Sequence, residues 1–313
     1  MDKWMLILIG AIVLLGLAGL WLWTPDLPRE KLEAKYLEAP SDVMTVADAR
    51  LHVRVDGPQD APAVILIHGF GASLHTWEDW AQAMAGAFRV VRFDLPGAGL
   101  SPPDPTGRYD DARAFELVSG LMDALSLERA ALVGNSVGGR ISWSYAAEHP
   151  DRVTRLVLIS PDGFASAGFE YGEAPDVGRL THAMRVITPR FLVRQNLVAS
   201  YGDPDRLSDE TVARYHDLLR ARGARRALIH RMEQTVLTDP RPILETIDTP
   251  TLLLWGEEDG LIPVSNAQDY LDHLPNAELV TLDGVGHLPQ EEAPERSLEP
   301  VRDFLAPLKE EEA

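Results

Sequence analysis

Six continuous apolar runs, each ending in glycine, serine or aspartate, constrain the fold of this chain most strongly. They are AVILIHG (63–69), FRVVRFD (88–94), AALVGNS (130–136), VTRLVLIS (153–160), TLLLWG (251–256) and AELVTLDG (277–284). Runs that do not alternate apolar with polar residues are typical of strands buried on both faces. The stretches between them have helical spacing, and strands that alternate with helices form parallel sheets. We therefore predict an α/β fold with a mostly parallel, doubly wound sheet.

An antiparallel edge is predicted before the first of these runs. Residues 51–56 alternate strictly between apolar and polar types, which is typical of a half-buried strand. A turn at Asp48-Ala49 would make this strand the second arm of a hairpin.

The alternation of strands and helices stops between residues 162 and 239. The stretches RLTHAMRVI, ETVARYHDLL and RRALIHRMEQTVL are helical in period, and prolines separate them. A helical excursion within the order of the sheet predicts an inserted cap over residues 162–239. The core would then comprise residues 43–161 and 240–313.

The N-terminal segment WMLILIGAIVLLGLAGLWLW, residues 4–23, carries no charge and has tryptophan at both ends. This is about the length needed to cross a bilayer as a helix, and tryptophan is enriched at membrane interfaces. A cleaved signal peptide is the alternative, although no A-x-A site follows. We predict a single-pass anchor over residues 1–24 and a charged juxtamembrane linker over 25–42. Basic residues on both sides leave the side of the membrane open.

Composition excludes several classes of function. The chain has 313 residues, no cysteine and a formal net charge of −19. The lack of cysteine excludes disulfides, thiolate metal sites and cysteine nucleophiles. The acidic balance argues against a nucleic-acid partner. The nine histidines lack close ligand spacing, so we expect no metal and no other cofactor.

Ser136 stands at the junction of an apolar run and a helical stretch, in the sequence Gly134-Asn-Ser-Val-Gly138. On such a sharp turn the serine adopts a strained backbone conformation, and the residues two before and two after it nearly touch. Glycine is needed at both of those places because a side chain would clash. The turn therefore predicts a serine presented as a nucleophile.

Four further motifs lie around this serine in a fixed order. They are HGFG (68–71), DLPGAGLS (94–101), WGEEDGLIP (255–263) and GVGHLPQEEAPE (284–295). With them, residues 43–308 resemble the α/β-hydrolase superfamily, in its cap-bearing branch of small esterases and related hydrolases. The resemblance implies the α/β-hydrolase fold, an oxyanion loop at HGFG, a catalytic acid in the third motif and a base in the fourth.

The predicted catalytic residues are Ser136, Asp259 and His287. A serine hydroxyl needs a neighbouring base to take its proton, and histidine titrates near neutral pH. Asp259 would fix the tautomer and orientation of His287, and the order Ser, Asp, His is the one this fold uses. Asp162 is the alternative acid, because some members of the family keep the acid after the preceding strand.

The oxyanion donors are predicted to be the backbone N–H groups of Phe70 and Val137, which the motifs place beside the nucleophile. The residues expected to support the shape of the two loops are His68, Gly69, Gly71, Gly134 and Gly138.

The nucleophile type narrows the reaction. Relatives that cleave carbon–halogen bonds or epoxides use aspartate, so Ser136 argues against both. GNSVGG is close to the GNSMGG of carbon–carbon hydrolases of ring-cleavage products, but those have arginine where this chain has Gly260. We predict a carboxylic ester hydrolase that forms an acyl-enzyme on a small-molecule ester, lipophilic esters included. The alternatives are a carbon–carbon hydrolase or perhydrolase with the same triad, and a non-catalytic, membrane-tethered binding protein.

The cap has a different charge balance from the rest of the chain. Residues 176–239 contain 11 arginines, no lysine and 8 acidic residues. A basic patch near a bilayer is attracted to anionic headgroups. One hypothesis is therefore that Arg220, Arg222, Arg225 and Arg226 contact lipid; the alternative is that they are solvated and pair with acidic side chains.

Overall fold

The computed structural model describes residues 3–306 except residue 167, and residue 308. Residues 1–2 of the predicted anchor, residue 167 of the predicted cap, and residues 307 and 309–313 of the predicted core lie outside the described residues.

An eight-stranded sheet forms the centre of the molecule. The strands are β1 (Val43–Val46), β2 (Ala49–Asp56), β3 (Ala63–Ile67), β4 (Arg89–Phe93), β5 (Ala130–Asn135), β6 (Val153–Ile159), β7 (Thr251–Gly256) and β8 (Ala277–Leu282). Their order is β1-β2-β4-β3-β5-β6-β7-β8. Strands β3 to β8 pair in parallel, whereas β2 pairs antiparallel with both β1 and β4. The predicted mostly parallel sheet is confirmed.

The helices of the described residues are α1 (Lys3–Leu22), α2 (Arg29–Tyr36), α3 (Glu78–Met84), α4 (Asp111–Ala124), α5 (Val137–Glu148), α6 (Arg179–Ala183), α7 (Arg190–Val198), α8 (Asp209–Leu219), α9 (Ala224–Gln234), α10 (Arg241–Leu244), α11 (Asn266–Leu271), α12 (Pro289–Glu292) and α13 (Pro294–Leu305). Helices α4 and α5 pack on one face of the sheet, and α3 and α13 pack on the other. In β3, Ile65 and Ile67 pack with α4 and α5, whereas Val64 and Leu66 pack with α3 and α13. Burial on both faces explains why the strand is apolar throughout.

The edge hairpin turns at Ala47 and Asp48, whose φ angles are 44° and 65°. This is one residue earlier than the predicted Asp48-Ala49 turn, because Ala49 already pairs with Val46 in the β1–β2 ladder.

Helices α6 to α9 lie between β6 and β7, and no strand of the sheet occurs among the described residues of that interval. Val193 and Leu197 of α7 pack with Val212 of α8 in a cluster separate from the two faces of the sheet. This arrangement fits the predicted helical cap, whose boundaries at 162 and 239 stay a prediction.

Helix α1 is long and apolar enough to cross a membrane, and its described side chains are exposed except that of Leu22, which is half-buried. A signal sequence would have the same length and composition. The membrane anchor therefore stays a prediction.

The segment predicted as a linker is instead packed against the cap. We call residues 24–37 the juxtamembrane segment. Thr24 N–H donates to the Val186 carbonyl at 2.9 Å, and Leu32 of α2 is buried with Leu100 and Leu218. The charged side chains that suggested a solvated linker lie around this apolar contact, which leaves residues 24–37 as part of the folded domain.

Candidate active site

Ser136 lies on the turn between β5 and α5, at φ 55° and ψ −119°. This left-handed backbone conformation is strained for a residue with a side chain. A Cβ on Gly134 would lie 2.1 Å from the Gly138 carbonyl oxygen, and one on Gly138 would lie 2.1 Å from the Ile67 carbonyl oxygen. Both glycines are therefore needed for the turn that presents the serine.

His287 and Asp259 form a buried pair. The Nδ1 of His287 lies 2.7 Å from Oδ2 of Asp259, and each residue is 5% exposed. The other oxygen, Oδ1, accepts the N–H groups of Leu261 and Ile262 at 2.9 Å each. Burial alone would raise the pKa of Asp259, but the hydrogen bond and charge of His287 and the Ile262 N–H hold that pKa below its ordinary value. The ionised carboxylate accepts from Nδ1, which leaves Nε2 available to a serine.

Asn135 joins the nucleophile turn to the loop that carries His287. Its Nδ2 donates to the His287 carbonyl at 3.0 Å and to the Ile159 carbonyl at 3.2 Å. Since Asn135 directly precedes Ser136, this bond fixes the position of the His287 loop relative to the serine. The structure thus places the three predicted catalytic residues in adjoining loops.

Asp162, the alternative acid, has different partners. Its carboxylate pairs with Nε of Arg140 at 3.2 Å, and its N–H donates to the Ser136 carbonyl at 3.1 Å. It supports the nucleophile turn, whereas the carboxylate bonded to His287 is that of Asp259.

The HGFG loop packs directly on the nucleophile turn. A Cβ on Gly69 would lie 3.2 Å from the Ser136 Cβ, and Gly71 has φ 70°. His68 holds the loop in place, because its Nδ1 bonds the Gly69 carbonyl at 2.8 Å and its Nε2 accepts the Leu95 N–H at 3.0 Å. These two bonds require a neutral imidazole, and burial also lowers the pKa of His68. The side chain thus bonds both the HGFG loop and the loop that follows β4, and its supporting role stays a prediction.

Asp94 organises the neighbouring glycine-rich loop. Its carboxylate accepts the N–H groups of Leu74 and Leu100 at 2.7 and 2.8 Å, and it pairs with Nδ1 of buried His52 at 2.7 Å. A Cβ on Gly99 would lie 2.1 Å from this carboxylate. Each of these partners belongs to the protein itself, so the carboxylate of Asp94 holds the loop in place.

Glu292 connects the His287 loop to the cap. Its buried carboxylate accepts three backbone N–H groups, those of Gly286 at 2.7 Å, Gly202 at 3.0 Å and Asp203 at 2.7 Å. His287 N–H also donates to the Ser200 carbonyl of the cap at 2.7 Å. Glu292 was not among the predicted site residues, and its only signal in the sequence is its place in the motif that follows His287.

An apolar cavity of about 300 Å³ lies between the cap and the HGFG loop. Its lining includes Phe70 from the loop, Met184, Leu197 and Leu228 from the cap, and Leu261 from the Asp259 loop. Its size and lining suit an apolar ligand group. Among the described residues, no group of three or more histidine or carboxylate side chains is placed to hold a metal ion.

Comparison with known families gives a match over most of the domain. A family model described as alpha/beta hydrolase fold matches residues 62–294.

Individual relatives differ in their activities. The chain is 29% identical to the 2-hydroxymuconate semialdehyde hydrolase of Pseudomonas sp. (strain CF600), over 78% of this chain and 86% of that protein. It is 28% identical to the pimeloyl-[acyl-carrier protein] methyl ester esterase of Neisseria meningitidis, over 82% of this chain and 98% of that protein. The crystal structure of a bacterial membrane phospholipase A is similar at TM-score 0.74 and 26% identity, covering 96% of this chain and 98% of that one.

Proposed function

Because this chain belongs to the α/β-hydrolase family, we propose that it hydrolyses carboxylic esters through an acyl-enzyme on Ser136, and that α1 holds it at a membrane. The observation that carries the proposal is the His287–Asp259 pair, whose Nδ1–Oδ2 distance is 2.7 Å. Asn135 holds the loop of His287 against the turn that carries Ser136, and the backbone of Ser136 is strained.

The proposed reaction uses these groups in sequence. Nε2 of His287 takes the proton of Ser136 Oγ as the oxygen attacks the ester carbonyl. The N–H groups of Phe70 and Val137 bind the oxyanion of the tetrahedral intermediate. His287 then gives the proton to the leaving alcohol, which leaves the acyl group on Ser136. A water molecule that gives its proton to His287 attacks this acyl-enzyme, and its breakdown releases the carboxylic acid and restores Ser136. Asp259 stays ionised and stabilises the imidazolium.

The substrate we propose is a lipophilic ester available at a membrane. The apolar cavity of about 300 Å³ supports an acyl chain, and α1 would keep it near lipid. The similar phospholipase structure, which covers 96% of this chain, is that of a membrane protein. The methyl ester esterase relative supports ester chemistry more generally.

A carbon–carbon hydrolase is the second candidate. Several relatives are hydrolases of that kind, among them the 2-hydroxymuconate semialdehyde hydrolase at 29% identity. Both reactions can use the same triad, so only substrates separate them.

The test begins with a fluorophosphonate probe on the full-length protein in detergent. We expect one label, on Ser136, and no label on Ser136→Ala. A panel of p-nitrophenyl esters of increasing acyl length and a ring-cleavage dienoate would follow. Turnover of the esters with a preference for longer chains supports the proposal, whereas turnover of the dienoate alone assigns the second candidate. A wild-type protein that is folded but unlabelled would contradict both.

A further inference from the structure

Arg231, on the cap helix α9, is a buried cation with few partners. It is only 9% exposed, and none of the described carboxylates lies within ion-pairing distance of it. Its Nη2 reaches the Pro96 carbonyl at 3.4 Å, and the guanidinium lies 5.5 Å from the centre of the Tyr109 ring. These are weak contacts for a charge removed from water.

The nearest carboxylates are bonded to other arginines. Asp104 pairs with Nε of Arg113 at 2.8 Å, and Asp111 pairs with Arg140. Burial first, and then repulsion from Arg140, lower the pKa of Arg231 to about 10. A buried charge without a close partner destabilises a folded protein. Stability therefore does not explain why Arg231 is buried here, and the position points to a functional role.

Arg231 lines a small cavity beside the HGFG loop. The cavity has a volume of about 20 Å³, and its lining also includes Phe70 and Val137, the two residues proposed to donate to the oxyanion. His68 also lines it and is held neutral by its two hydrogen bonds. This volume accommodates about one oxygen-sized group. A carboxylate or phosphate of a substrate would not fit there.

We propose that Arg231 supplies positive charge to the oxyanion site, so that the cap stabilises the transition state as well as covering the cleft. This inference rests on the proposed function. An ester carbonyl is neutral in the ground state and gains negative charge only in the transition state, so a fixed cation nearby favours the transition state selectively. The low polarity around Arg231 reduces the screening of that charge.

The direct test compares Arg231→Met with Arg231→Lys. We expect Arg231→Met to lower kcat on a neutral p-nitrophenyl ester by about 10- to 100-fold, somewhat less than the loss of a hydrogen-bonding oxyanion donor. KM should change by less than about twofold, because ground-state binding does not involve the charge. Arg231→Lys keeps the charge and should retain much of the rate. Arg226→Met, at an exposed position of the same helix, is the matched control and should match the wild type.

Two readouts separate this role from a purely structural one. A trifluoromethyl ketone forms an anionic tetrahedral adduct with the serine, so its Ki should rise by the factor by which kcat/KM falls. The Tm of Arg231→Met should stay unchanged or rise, since an unpaired buried charge is removed.

The inference would be overturned if Arg231→Met had a lower Tm than the wild type but the same kcat per active site, with active sites counted by fluorophosphonate titration. An unchanged Ki, or an equal loss of rate in Arg231→Lys and Arg231→Met, would do the same. Failure of the proposed function gives a different result, because the wild type itself would then hydrolyse no p-nitrophenyl ester, whether or not Ser136 is labelled.

Discussion

At the nucleophile turn, Asn135 connects the two loops that the proposed chemistry requires. Its side chain donates to the carbonyl of His287, and its neighbour Ser136 has a φ of 55°. The imidazole is fixed on its other side by Asp259. The proposed catalytic geometry is thus set by short, buried hydrogen bonds between neighbouring loops, which single substitutions can test.

The choice of acid gives one prediction. Asp259→Asn keeps the shape of the residue but favours the wrong tautomer of His287, so we expect kcat to fall by about four orders of magnitude. Asp162→Asn should cost much less, because Asp162 bonds Arg140 and not His287. Steady-state kinetics of both variants on one ester would check this. A severe loss in Asp162→Asn together with a mild one in Asp259→Asn would reverse the assignment.

His75 gives a prediction about pH. Burial lowers the pKa of His75 from 6.5 to about 4, so the folded state keeps it neutral while the unfolded state can protonate. The contribution of neutral His75 to the free energy of unfolding is therefore fully present above about pH 6.5 and is lost as the pH falls towards 4. At pH 5 the free energy of unfolding should be lower than at pH 7 by about 2 kcal/mol from this group.

We expect His75→Gln to lose that part of the pH dependence. Urea unfolding at the two pH values, for both proteins, measures the difference. The same pH dependence in the variant and the wild type would contradict the assignment of this effect to His75.

The sequence predicts those parts of the site that have a short local motif. The Ser136 turn, the HGFG loop and the His287 loop each have a local signature, because glycine spacing and strand ends fix their geometry. Glu292 and Arg231 depend on how the cap packs on the core. No local pattern in the sequence carries that information.

Among the elements, the juxtamembrane segment and the cap behave as one unit. Nη1 of Arg225 donates to the Thr24 carbonyl at 2.7 Å, Nη2 pairs with Asp26 at 2.5 Å, and Nε of Arg220 donates to the Pro25 carbonyl at 2.9 Å. Arg225 is 3% exposed. The hypothesis that it contacts lipid is therefore wrong: these two arginines bind the chain that leads to α1. Only long-range packing could reveal this.

Two truncations test the unit. A protein that begins at Thr24 keeps these contacts and should be soluble and active. A protein that begins at residue 39 loses them and exposes the apolar surface that Leu32 covers. We expect it to be less stable by at least about 2 kcal/mol, since the burial of one leucine alone contributes about that much. Thermal unfolding and ester turnover of the two proteins measure the difference, and equal Tm values would show that the segment is a linker after all.

At the scale of the whole molecule, the mostly parallel sheet and its helix-covered faces follow from the pattern of apolar runs, whereas the strand order does not. Each of the six predicted runs contains a strand of the sheet. Strands β3, β4, β5 and β7 are buried throughout, as uninterrupted apolar runs predict, whereas most of the edge strand β8 is half-buried or exposed. The hairpin edge was also predicted, to within one residue of its turn. The position of α1 relative to the cap could not be predicted, since it depends on contacts such as Trp21 with Phe191, whose ring centres are 6.2 Å apart.

That contact leads to the last prediction, which concerns the membrane. If α1 spans a bilayer, Trp21 lies at the surface of the bilayer, and Phe191 of the cap, which stacks on Trp21, lies at that surface too. The full-length protein should then remain in the membrane fraction through washes with high salt and with carbonate, and detergent should release it. The form that begins at Thr24 should be found in the soluble fraction. Release of the full-length protein by carbonate, or an N-terminus of the mature protein that lies after residue 23, would contradict the anchor and indicate a signal sequence.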